Sequence, residues 1–118
     1  MCRWRSGTWP SSIYVQGSYA YTANSVSNTL GVYNVSNPAA PVAVGSIVTG
    51  TNSGPRSVYI QGNYAYVANN ASNTLNIYSV SNPATPVSVG SIATGSTATS
   101  GYPYSVYVQG NYVYAANC

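Results

Sequence analysis

The sequence predicts an all-β chain: tandem four-stranded antiparallel β-propeller blades, two complete and one half present, in an incomplete ring. Three observations predict it. The chain repeats with a period of about 45 residues, each full copy holds four strand-like runs, and no stretch spaces its apolar residues like a helix.

The repeat is visible by eye. The segment from Pro10 reads PSSIYVQGSYAYTANSVSNTLGVYNVSNPAAPVAVGSIVTG, and the segment from Pro55 reads PRSVYIQGNYAYVANNASNTLNIYSVSNPATPVSVGSIATG. A third copy, PYSVYVQGNYVYAANC, starts at Pro103. This divides the 118 residues into a non-repeat segment 1–9, a blade 10–54, a blade 55–102 and the inner two strands of a third blade at 103–118.

The second copy serves to justify each element in turn. Its first run, Ser57 to Gln61, places Val58 and Ile60 on one face and Ser57, Tyr59 and Gln61 on the other. Gly62-Asn63 is a two-residue hairpin turn, because both residue types tolerate positive φ. The next run, Tyr64 to Ala68, sets Tyr64 and Tyr66 opposite Ala65 and Val67. Asn69 to Asn73 is a polar turn, and Thr74 to Ser79 a third strand with Leu75 and Ile77 on one side. Ser81-Asn82-Pro83-Ala84-Thr85-Pro86 is a second turn, since neither proline fits a central strand. Val87 to Ala93 is the fourth strand. The pattern gives ten strands over the chain.

Most runs carry apolar or aromatic side chains on both faces, which a sheet with one solvated face would not. Small sheets stacked face to face would bury both. A four-stranded repeat of this length that stacks radially is a propeller blade. A closed ring takes about 4–8 blades, so these copies alone leave it open.

The run Tyr78-Ser79-Val80-Ser81-Asn82-Pro83 and its earlier copy Tyr33-Asn34-Val35-Ser36-Asn37-Pro38 resemble the LVIVD repeat of bacterial and archaeal propellers. Tyr64-Ala65-Tyr66-Val67-Ala68-Asn69 resembles the related YVTN repeat. The resemblance spans Pro10 to Asn117. It implies that the first run of each copy is the inner strand and the fourth the outer, and that the setting is extracellular or at the cell surface. It assigns no activity. The family's usual acidic position in the third strand is held here by Asn34 and Ser79, which puts any acid-dependent role of that position in doubt.

Composition excludes several functions. There is no Asp, Glu, His or Lys, and the only bases are Arg3, Arg5 and Arg56. General acid–base catalysis, an activated Ser or Cys nucleophile and paired-carboxylate hydrolysis all lack their groups, so no catalytic residue is expected. No metal site and no cofactor are expected either. The basic stripe that nucleic acid requires is absent. No run approaches the about 20 apolar residues of a membrane span, so no membrane insertion is expected. Residues 1–10 lack the apolar stretch of a signal peptide. Cys2 and Cys118 lie at opposite ends of the chain, with a disulfide and no shared role both open. Gly17, Gly62 and Gly110 read as hairpin glycines rather than phosphate loops. Asn34-Val35-Ser36 and Asn70-Ala71-Ser72 match the glycosylation pattern, as an Asn- and Ser-rich chain will by composition.

The candidate contact residues are Tyr14, Tyr59 and Tyr107, which occupy one position on the inner strand of successive copies. They suit either a neutral glycan or peptide, or packing between blades with the hydroxyl bonded to backbone. The expected function is a non-catalytic repeat segment acting as a surface scaffold or protein-interaction module. Lectin-like binding of neutral glycans through Tyr and Asn clusters, and self-assembly into a ring or fibre, are the alternatives. Expected partners are flanking repeats or other copies of the chain. The edge strand Tyr112 to Ala116 has no Lys or Pro to deter pairing, so association is expected there.

Overall fold

The computed structural model describes residues 10–94 and 102–117. Expectations for the leading segment 1–9, and for Cys2 and Cys118, fall outside the described residues. Ten strands are present: β1 (Pro10–Gln16), β2 (Tyr19–Asn24), β3 (Thr29–Asn34), β4 (Val42–Val48), β5 (Pro55–Gln61), β6 (Tyr64–Asn69), β7 (Thr74–Ser79), β8 (Val87–Ala93), β9 (Pro103–Gln109) and β10 (Tyr112–Asn117). No helix occurs among the described residues. Two four-stranded antiparallel sheets run β1-β2-β3-β4 and β5-β6-β7-β8, and among the described residues β9 pairs with β10 alone. These are two full propeller blades and half of a third, in a ring that does not close.

Turn chemistry explains the meanders. The hairpin glycines Gly17, Gly62 and Gly110 have φ of 61°, 60° and 58°, while the residue after each stays at negative φ, as in a type II′ turn. Asn28 and Asn73 take φ of 58° and 59° before the third strands, a region Asn tolerates better than most residues. In the Asn-Pro turns, the Asn37 and Asn82 side-chain oxygens accept from the amides of Ala39 and Ala84. The Asn37 and Asn82 carbonyls accept from Ala40 and Thr85, closing a turn with Pro at its second position.

Strand bounds differ slightly from expectation. Pro10, Pro55 and Pro103 lie inside the first strands, and Asn69 belongs to β6 rather than to the turn. Proline is tolerated because β1, β5 and β9 are edge strands and the register shifts beside Pro10 and Pro55.

Blades stack through their faces. The first strands lie side by side, β1 against β5 and β5 against β9, which makes them the inner strands. Tyr21, Ala23, Leu30 and Val32 of the first blade pack against Val58, Ile60, Ala65, Val67, Tyr78 and Val80 of the second. A smaller cluster joins Ala68 and Leu75 to Val106, flanked by Tyr59, Tyr66 and Val113. Burying one Val, Leu or Ile side chain stabilises by about 1.5–3 kcal/mol, so the first interface dominates the fold.

The link between the first two blades is clamped. Gly54 donates its amide to the Asn28 side chain at 2.9 Å, and the Ser53 carbonyl accepts from Ala71 and Ser72. The hydroxyls of Thr49 and Ser53 bond at 2.6 Å inside it.

Candidate functional site

The inner strands β1, β5 and β9 bring Tyr14, Tyr59 and Tyr107 together. Every second residue of a strand points the same way, and the three copies align in register, so the rings form a column. Tyr14 and Tyr59 have centroids 4.8 Å apart at 52°, and Tyr59 and Tyr107 are 5.0 Å apart at 57°. Both lie in the favoured range for tilted aromatic pairs. The Tyr59 ring sits between its two neighbours. Its pKa is raised, first by the hydrogen bond with Tyr14, then by burial and by the charge of Tyr14, while the bond with Tyr107 works the other way. The rings of the three tyrosines are thus packed on one another between the blades. Tyr107 is 55% exposed and ends the column.

A ladder of neutral hydrogen bonds flanks the column. Val58 donates its amide to the Ser12 hydroxyl at 3.3 Å, and Val106 does the same to Ser57 at 3.2 Å. Gln16 donates its side-chain amide to the Gly62 carbonyl at 2.9 Å, and Gln61 to Gly110 at 3.1 Å. Each of the first two blades therefore holds the next through a Ser and a Gln at the same two positions, and the first adds Ser11, whose hydroxyl donates to the Pro55 carbonyl at 2.8 Å. Sequence reasoning missed these residues. The signal was there, since all three copies read Ser-Ile/Val-Tyr-Val/Ile-Gln.

Where the inner strands begin, a cleft of about 540 Å³ opens between the blades. Ser25, Asn28, Asn52, Asn70, Ala71 and Tyr102 line it, all uncharged. Much of its polarity is already engaged. Asn28 holds Gly54, and Asn70 donates to the Pro103 carbonyl at 3.0 Å.

The two acceptor-pattern asparagines differ. Asn70 is buried and its side-chain nitrogen is committed, so it does not present an acceptor. Asn34 is half-buried, and its side-chain oxygen accepts from both the amide and the hydroxyl of Ser36, at 2.9 and 2.7 Å. In the second blade Ser79 reaches the Ser81 hydroxyl at 3.2 Å. At this third-strand position a neutral oxygen caps the following turn in the first blade, while in the second only the two hydroxyls meet.

Comparison with known proteins agrees with this architecture. None of the curated protein sequences matches the chain. Among solved structures, a protein from Lactobacillus plantarum superposes with a TM-score of 0.79 at 19% identity, over 89% of this chain and 33% of that one. A functionally unknown protein from Desulfotomaculum acetoxidans gives a TM-score of 0.59 at 24% identity, over 70% of this chain and 26% of that one. At such identities the likeness concerns the fold alone. The chain spans about a third and a quarter of their lengths. The LVIVD repeat profile matches residues 10–49, 55–94 and 100–118, the same three copies that build the blades, and the chain belongs to the LVIVD repeat family.

Proposed function

We propose that the chain is a non-catalytic propeller repeat segment that serves as a scaffold or protein-interaction module at a cell surface or outside the cell. The observation that carries this reading is the pair of open blade faces. Ile13 and Val15 on the first blade are 64% and 56% exposed, and Tyr112 and Tyr114 on the last are 70% and 58% exposed. Exposed apolar and aromatic side chains grouped on a blade face support an interaction role. The absence of any Asp, Glu, His or Lys argues against catalysis.

A second reading is favoured by the tyrosine column and the uncharged cleft: binding of neutral glycans. Stacked phenol faces beside amide groups suit sugars. One experiment separates the two. The labelled chain is applied to an array of neutral oligosaccharides. The module reading expects no saturable signal. Saturable binding that Tyr107→Ala weakens tenfold or more would replace it with the lectin reading.

A further inference from the structure

We propose that the chain docks head to tail on a second copy of itself, with the open face of the first blade of one copy seated on the open face of the last blade of the other. The proposal rests on the interaction-module reading and names its partner. The two faces carry the first- and second-strand parts of an interface that the chain already builds twice.

In that interface the preceding blade supplies a Ser hydroxyl, a Tyr ring and a Gln side chain. The following blade supplies a backbone amide, a Tyr ring and the carbonyl of the hairpin glycine. Ser12, Tyr14 and Gln16 meet Val58, Tyr59 and Gly62; Ser57, Tyr59 and Gln61 meet Val106, Tyr107 and Gly110. The last blade repeats the first set as Ser105, Tyr107 and Gln109, all exposed. The first blade repeats the second set as the Ile13 amide, the Tyr14 ring and the Gly17 carbonyl.

The apolar parts correspond as well. Ile13 and Val15 occupy the positions of Val58 and Ile60, which are 4% and 1% exposed where a blade covers them. Tyr112 pairs with Gln109 and Tyr114 with Tyr107, so both stand on the open side of β9 and β10. On their other side Val106 is buried against the second blade. No charge lies on either set of residues, so nothing repels the approach of two copies. A contact between unlike faces propagates, giving a ring if its rotation closes and a filament if it does not.

Two surface variants test this: Val15→Arg blocks the first-blade face, and Tyr112→Arg blocks the last-blade face. Both residues are exposed, and circular dichroism checks that each variant keeps its strands. Sedimentation velocity over a rising concentration series should show the native chain associating beyond a dimer. Each variant alone should remain monomeric, with association weakened at least tenfold. An equimolar mixture of the two should form a one-to-one dimer and stop there, because each retains the half the other lacks. A native chain that stays monomeric overturns the proposal and assigns these faces to further blades of a longer chain, while leaving the array experiment to judge the module reading. Association that survives in both variants overturns it in favour of edge pairing, and loss in only one variant overturns it in favour of a like-on-like contact.

Discussion

The first two blades are nearly the same sequence in two different surroundings. Val15 and Ile60 hold the same position, yet one is 56% exposed and the other 1%. Tyr33 is half-buried over Gly31 and Thr22, whereas its counterpart Tyr78 is 1% exposed and its hydroxyl accepts from Asn76 at 3.0 Å. The difference comes from the neighbour. The second blade has a blade on each side; the first has one only on its inner-packed face. A repeat residue therefore acquires its energetic weight from the copy beside it, and identical residues in one chain should respond differently to identical changes.

The largest contrast is expected at the apolar positions. Ile60→Ala removes a side chain from the centre of the first interface and should cost about 2–5 kcal/mol. Val15→Ala should stay within about 0.5 kcal/mol. Chemical denaturation of both variants at low protein concentration checks this, and equal losses would mean that the first-blade face is covered in solution.

A smaller contrast is expected at two glycines with the same local sequence. A methyl group on Gly45 would collide with the Pro83 carbonyl and lie 3.0 Å from the Ala84 carbonyl, both in the Asn-Pro turn of the next blade. On Gly90 it would meet only Ile77, at 3.9 Å. Gly45→Ala should destabilise by about 1–3 kcal/mol through overpacking. Gly90→Ala should leave the thermal midpoint almost unchanged. If both are tolerated, the fourth strand of the first blade gives way more easily than its packing suggests.

Smaller again is the serine ladder. Ser57→Ala leaves the buried Val106 amide without its acceptor, at a cost of about 1 kcal/mol. Ser105→Ala, on the open side, should be silent in a dilute sample. Amide exchange at Val106 gives a local check, since it should speed up in the first variant only.

The subtlest test is alkaline. Tyr21 and Tyr78 both face the first interface, and burial is the first cause holding each phenol above its ordinary value of about 10. A raised folded-state pKa means the native state binds the proton more tightly. Its contribution is complete below the unfolded value near 10 and is lost as pH rises through the folded value. Denaturation midpoints should fall with pH in that window, and Tyr78→Phe should flatten part of the fall.

Much of the fold was legible because its determinants are local. Alternating apolar residues, hairpin glycines and Asn-Pro turns each announce a strand or its end, and the ten strands follow. The bounds slipped where an edge strand admits proline, since edge status is a fact about neighbours. The tyrosine position could be read from the register of the three copies. The packing of Tyr59 between two other rings could not, because Tyr14 and Tyr107 lie a whole repeat away in sequence. The Ser and Gln ladder was hidden for the same reason: Ser57 and Gln61 look like solvent-facing polar residues until the next blade arrives.

The bonds that join one blade to the next are made by hydroxyls, amides and backbone groups, with no ionised partner in the ladder. Such a junction gives acid no carboxylate to protonate, and dissolved ions no charge pair to screen. Moderate sodium chloride and mild acid should leave the stacking of blades untouched. Excluded solutes such as sulfate should tighten it, because they raise the cost of wetting apolar surface. The array is thus coupled to its surroundings through the activity of water rather than through the ionic atmosphere.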